Sequence, residues 1–243
     1  MSYDAASKIL FSADGFGKFG VREADEDWTC EARRYYFGIV GKFGMNVQKV
    51  LASVADFDIQ TICSLHGPVL DADFFAKSGT DISYYLNLYN TWSSYGVESE
   101  GVCIAYTSVY GHTKAAVETL AARLEELGCP KVAVTDLARD DMAEAVEDAF
   151  RYGTLVLATT TYAGDIFPFM RDFIERLVER NYQKRTIAFI ENGTWMPMAA
   201  KVMKGLFENS SEISFAQNTV TINAALDDDS CGQLEALAQE LAN

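Results

Sequence analysis

Histidine is the scarcest chemistry-bearing residue in this 243-residue chain, with two in all, His66 and His112. That scarcity excludes a multi-histidine metal centre built from these residues alone. The five cysteines (Cys30, Cys63, Cys103, Cys129 and Cys231) contain no C-x-x-C pair, which argues against an iron–sulfur site and against a disulfide framework. Two of them fall in predicted strands, and buried, reduced thiols are expected. Basic residues are outnumbered 20 to 35, for a net charge of −15. An acidic surface repels nucleic acid and anionic lipid and suits a basic redox partner. No apolar run approaches bilayer length, and the opening MSYDAASK has no signal-peptide pattern, so no membrane association and a cytoplasmic location are expected. With 49% hydrophobic and 23% charged residues, the composition is that of a globular protein able to bury a proper core.

What is present is most informative at Thr107-Ser108-Val109-Tyr110-Gly111-His112-Thr113. The preceding run, Gly101–Tyr106, has the length and apolar character of a strand buried on both faces. Ala115, Ala116, Leu120, Leu124 and Leu127 then recur at helical spacing until Gly128. A strand that turns through hydroxyl residues into a helix start offers free N–H groups and a helix dipole, a setting suited to phosphate. Alone, the segment can also be read as a capped junction without a ligand.

The pattern repeats. Strands are predicted at 101–107, 131–137, 154–160, 185–191 and 214–222, and helices at 112–127, 140–152, 168–181, 197–209 and 231–242. Strict alternation implies α/β architecture: a doubly wound, five-stranded parallel sheet of order 2-1-3-4-5. Ligands of such sheets sit beyond the carboxyl ends of the strands, where the order reverses. The loops after strands one, three and four would meet there. The second of these is Thr159-Thr160-Thr161-Tyr162-Ala163-Gly164-Asp165-Ile166-Phe167-Pro168, and the third is Glu191-Asn192-Gly193-Thr194-Trp195-Met196-Pro197. Phosphate at one loop and aromatic rings at the other two describe a nucleotide with a flat heteroaromatic ring. Singly, Tyr162 or Trp195 would read as packing against the sheet.

YTSVYGHTKAA, ATTTYAGDIFPFM and IENGTWMPMAAK resemble the three FMN-binding loops of flavodoxin domains, above all those of flavodiiron proteins. The resemblance implies that Thr107, Ser108, Tyr110, Gly111, His112 and Thr113 wrap the FMN phosphate. It implies also that Thr161, Tyr162, Ala163 and Gly164 border the isoalloxazine on one side, and Asn192, Gly193, Thr194 and Trp195 on the other. His112 stands where many flavodoxins have Asn, Thr160 where proline is frequent, and Ala163 where Asn is frequent.

Residues 1–98 form a second segment, distinct from the flavodoxin-like domain at 99–243. Lys8–Gly17 reads as a strand running into a glycine-rich turn, 28–54 as a long helix, Asp58–Pro68 as another strand, and 81–95 as a helix. This part resembles the end of the metallo-β-lactamase-like domain of flavodiiron proteins. There an S-x-D-x-F-G turn supplies a bridging Asp and an L-H-G-P turn supplies a His ligand; Asp14 and His66 match those positions. The family's H-x-E-x-D-H motif is absent from this sequence. The expectation is therefore a chain truncated at its N-terminus, an incomplete metallo-β-lactamase-like α+β segment, and Asp14 and His66 as remnant diiron ligands. A diiron centre is expected only if another chain supplies the missing ligands. Phe11, Phe16, Phe37, Phe43 and Phe57 suggest an apolar face, so a homodimer or partner chain packing on residues 1–98 is expected.

By this resemblance the chain is an FMN-binding electron-transfer flavoprotein related to oxygen and nitric oxide reductases, served by a small redox protein or reductase as electron donor. No side chain is expected to act as acid, base or nucleophile. Two rivals remain on sequence grounds: a flavodoxin-fold NAD(P)H:quinone-type oxidoreductase, and a flavin-free interaction module of the same fold.

Overall fold

Runs of β-branched and apolar residues that bury both faces make central strands of a parallel sheet. They do so here in a computed structural model that describes residues 1–20 and 28–242. The chain divides into two compact units, Met1–Gly96 and Val97–Asn243.

In the first unit, β1 (Ser2–Asp4) pairs antiparallel with β2 (Ile9–Ala13). After α1 (Trp28–Tyr35) and α2 (Gly44–Val54), β3 (Thr61–Ser64) pairs parallel with β2. α3 (Ala72–Ser78) and α4 (Ile82–Ser93) complete the unit, each opened by an aspartate, Asp71 or Asp81, that accepts from a backbone N–H of the first turn. The core is aromatic. Phe16 stacks on Tyr89 at 4.1 Å, and Tyr36 and Trp92 lie 5.2 and 5.3 Å from Tyr89.

The single helix predicted over 28–54 is instead broken into α1, a wide turn at Tyr36–Val40, a tight turn at Gly41–Phe43, and α2. The glycines explain the break. A Cβ on Gly44 would collide with the Ser93 carbonyl oxygen and come within 2.8 Å of the Tyr95 ring. The chain gives up helical regularity so that its backbone can close on the end of α4, where the Tyr95 hydroxyl donates to the Gly41 carbonyl at 2.8 Å. Gly44→Ala would gain up to ~1 kcal/mol of helix propensity. It would lose about 1–3 kcal/mol or more to the clash, because the obstructing atom is backbone. A net fall in the stability of this unit is expected, read as a lower urea midpoint.

The five phenylalanines predicted to share one apolar face divide instead. Phe16 and Phe37 are buried in the aromatic core, and Phe11, Phe43 and Phe57 are exposed. The buried-thiol expectation holds only for Cys103; Cys30, Cys63 and Cys129 are partly exposed and Cys231 is exposed, and none of the five is in a disulfide among the described residues.

In the second unit, β4 (Ser99–Tyr106) leads to α5 (His112–Glu126), β5 (Val132–Asp136) to α6 (Met142–Arg151), and β6 (Tyr152–Tyr162) through a short β7 (Asp165–Ile166) to α7 (Pro168–Glu179). β8 (Arg185–Asn192) leads to α8 (Ala199–Leu206). β9 (Ile213–Phe215) and β10 (Val220–Ile222) precede α9 (Asp228–Leu241). The sheet runs β10-β8-β6-β4-β5, with β9 also on β8, which is the predicted order 2-1-3-4-5. The predicted last strand, 214–222, is two short pieces, because the backbone N–H groups of Gln217 and Asn218 turn to the Glu240 carboxylate instead of β8. Ile104, Leu155, Val156 and Ile190 are fully buried between the helix layers. Among the described residues, no helix is long and apolar enough to cross a membrane.

Candidate functional site

β4, β6 and β8 end side by side, and their loops enclose two adjoining cavities of about 380 and 440 Å³ at the carboxyl edge of the sheet. Ser108, Tyr110, His112, Thr113, Thr161, Tyr162, Asn192, Gly193 and Thr194 line the first. Ala163, Gly164 and Trp195 line the second, with Thr161, Gly193 and Thr194 common to both. Of the predicted ligand-binding residues, Thr107 and Gly111 line neither. Thr107 is buried beneath, its hydroxyl 2.6 Å from that of Thr159. Gly111, at φ +92°, makes the left-handed turn into α5.

The start of α5 carries the local electrostatics. The Ser108 hydroxyl accepts from the Gly111 and Lys114 N–H groups at 3.1 and 3.2 Å. The N–H groups of His112 and Thr113 have no partner among the described residues. Among the described residues, no lysine or arginine lines either cavity. An anion here would be held by oriented N–H groups and hydroxyls rather than by opposite charge.

The other loops hold each other. The Thr161 hydroxyl accepts from Met198 N–H at 2.9 Å. Buried Glu191 accepts from Ala200 N–H at 2.9 Å and from the Thr221 hydroxyl at 3.1 Å, fixing the start of α8. Ala163 and Gly164 both have positive φ, +52° and +75°, the pairing required at the tip of a two-residue hairpin between β6 and β7. Arg171 donates to Asp165 beside that hairpin and holds its carboxyl below the usual range. Tyr110 and Trp195 are 89% and 90% exposed, and Tyr162 is half-exposed with one edge on Phe167 at 5.3 Å, so three rings stand at the cavity mouth.

Sequence reasoning missed Val109, Thr160, Met196, Met198 and Ala224 as lining residues. The first four sit inside the recognised loops; Ala224, after β10, carries no sequence signal. Asn192 lines the cavity as expected, and its carboxamide is engaged by the Ala224 backbone.

Beneath the site, burial first and Asp136 second push the Tyr106 phenol up to about 12. The folded state therefore prefers the protonated phenol. Its contribution is complete below the unfolded value near pH 10 and is lost as pH rises to 12, at ~1.4 kcal/mol per unit. Urea melts at pH 9 and 11 should show this loss, and Tyr106→Phe should flatten the slope by about that amount.

In the first unit, Asp14 and His66 are brought together, with Asp14 Oδ1 3.7 Å from His66 Nε2. Tyr35 donates to the same Oδ1 at 3.4 Å, and burial followed by Asp14 pushes its phenol up to about 12. No group of three or more His, Cys, Asp or Glu residues suited to a metal occurs among the described residues. These donors do not fit a diiron centre.

A flavodoxin domain family model matches residues 103–221. An uncharacterised protein of Methanocaldococcus jannaschii is 24% identical over 216 residues, 86% of this chain and 52% of that protein. The anaerobic nitric oxide reductase flavorubredoxin of Escherichia coli O1:K1 is 24% identical over 205 residues, 79% of this chain and 41% of that protein. The solved rubredoxin oxygen:oxidoreductase of Desulfovibrio gigas superposes on 99% of this chain, and on 60% of its own, with TM-score 0.86 at 19% identity. In sequence and in fold the chain is thus similar to flavodiiron-type proteins. The flavodiiron protein of Giardia intestinalis matches in the same way, covering 98% of this chain and 60% of its own with TM-score 0.81 at 18% identity. The chain spans about half the length of the M. jannaschii and E. coli proteins it matches.

Proposed function

We propose that the chain binds FMN at the carboxyl edge of its flavodoxin-like sheet and serves as an electron carrier. The observation that carries this reading is the pair of unpartnered N–H groups, His112 and Thr113, at one end of a cavity whose mouth is lined by exposed Tyr110, Tyr162 and Trp195. Ser108, His112 and Thr113 would hold the phosphate. Tyr162 and Ala163–Gly164 would border one side of the ring, and Gly193–Trp195 the other. Bound there, FMN supplies one- and two-electron redox chemistry. The chain's own residues orient it, cover its faces with apolar and aromatic groups, and offer backbone N–H groups at its edge. No side chain acts as acid, base or nucleophile.

Electrons would come from a small redox protein or reductase. A nicotinamide-dependent quinone reductase would need a second site over the ring. Anaerobic stopped-flow mixing of the FMN-loaded chain with NADPH should leave the flavin oxidised for seconds. Rapid bleaching would replace this reading with the quinone-reductase one.

Asp14 and His66 are proposed as ligand-derived residues without diiron in this chain. Metal analysis of the purified chain should find substoichiometric iron; two irons per chain, retained without a partner, would contradict this. Exposed Phe11, Ile39, Phe43, Met45 and Leu65 support a second copy or a partner chain packing on residues 1–98.

A further inference from the structure

One wall of the cavity is a strained turn, and a buried side chain holds it. Ala224 has φ +73°, and the Ala225 N–H closes on the Asn223 carbonyl at 3.1 Å, a three-residue γ-turn of the strained, positive-φ kind. A non-glycine residue adopts that conformation only where its surroundings over-determine it. Asn192, at the end of β8 and 6% exposed, does so. Its Nδ2 donates to the Ala224 carbonyl at 3.1 Å, and its Oδ1 accepts from the Ala224 N–H at 3.2 Å. The same Nδ2 lies 3.4 Å from the Thr113 hydroxyl at the start of α5. One carboxamide thus ties the end of β8 to the first turn of the anion-holding helix and to the loop after β10. Ala224 lines the same cavity as Ser108, His112 and Thr113.

We infer that Asn192 is a positioning residue: it fixes Ala224 against the phosphate-proximal end of the cavity and so sets FMN affinity without touching the flavin through its carboxamide. This rests on the FMN reading above. Only an amide serves. It must donate to a carbonyl and accept from an N–H of one residue at once, and a carboxylate at 192 would face the Ala224 carbonyl oxygen.

The test is a cycle of Asn192→Ala, Ala224→Gly and the double variant, with Asn192→Gln as a further comparison. FMN and riboflavin dissociation constants are measured on the full-length apoprotein by quenching of flavin fluorescence, and the bound flavin is read by visible circular dichroism. Asn192→Ala should weaken FMN by about 10-fold or more, since it leaves two backbone groups unpaired, and should change the flavin's dichroic bands. Ala224→Gly alone should alter affinity less than about 3-fold. In the Asn192→Ala background it should recover several-fold, because glycine meets no steric penalty at positive φ. That recovery is a coupling a general loss of stability would not show.

Wild-type apoprotein that takes up no FMN overturns the flavin reading and this inference with it. Wild-type that binds, together with Asn192→Ala that binds equally with unchanged dichroism, overturns this inference alone. So does an Ala224→Gly effect identical in both backgrounds, or full affinity in Asn192→Gln, whose longer side chain cannot keep both bonds to Ala224.

Discussion

Ser108→Asp should weaken FMN binding by about three orders of magnitude while changing riboflavin binding less than about 3-fold. Ser108 already accepts from the Gly111 and Lys114 N–H groups. An aspartate carboxylate can accept from the same two N–H groups, and its charge suits a helix start by a further ~0.3–1 kcal/mol. The fold is therefore expected to be kept or strengthened. The phosphate, however, would share the cradle with a carboxylate. Two unit charges about 4 Å apart in surroundings of effective dielectric ~20 repel by about 4 kcal/mol, which is close to 10³ in affinity. Riboflavin has no phosphate and escapes this term. Parallel fluorescence titrations decide the matter: equal losses for both ligands would place the phosphate somewhere other than the start of α5.

The second large effect is expected in the other unit. Trp92, 1% exposed, packs within 5.4 Å of Tyr36 and 5.3 Å of Tyr89, ring centroid to centroid. Trp92→Ala removes the largest side chain of that aromatic core and should cost about 3–5 kcal/mol. A unit of this size holds little more stability than that. Limited proteolysis should then cut readily within residues 1–96. FMN affinity should stay within about 3-fold, since every cavity-lining residue belongs to Val97–Asn243. A parallel loss of flavin binding would show that the site depends on the first unit.

These two outcomes differ in how visible their residues are in the sequence. The flavodoxin-like half is legible because its strands are short apolar runs, its helices amphipathic, and its ligand loops break that rhythm with hydroxyls, aromatics and glycine. Ser108, Tyr162 and Trp195 stand out for that reason. The first half hides more. Aromatic residues at helical spacing over 28–54 predict one helix, but Gly41 and Gly44 decide otherwise, because tertiary contact with Ser93 and Tyr95 outweighs local periodicity. Asp14 and His66 could be paired only through the resemblance, since fifty-odd residues separate them. Ala224 was invisible. Its turn lacks glycine or proline and is imposed by Asn192 from another strand, so no local signal could announce it. Asn192 was noticed, but as a ring neighbour, because a sequence shows which residue types share a loop and not where a carboxamide points.

The central claim is that the cavity at the ends of β4, β6 and β8 is an FMN site, and equilibrium dialysis of the purified apoprotein against FMN tests it most directly. One FMN bound per chain, with riboflavin held more weakly because it cannot use the His112 and Thr113 N–H groups, is the predicted result. A chain that retains no FMN, or that binds riboflavin as tightly as FMN, would contradict it.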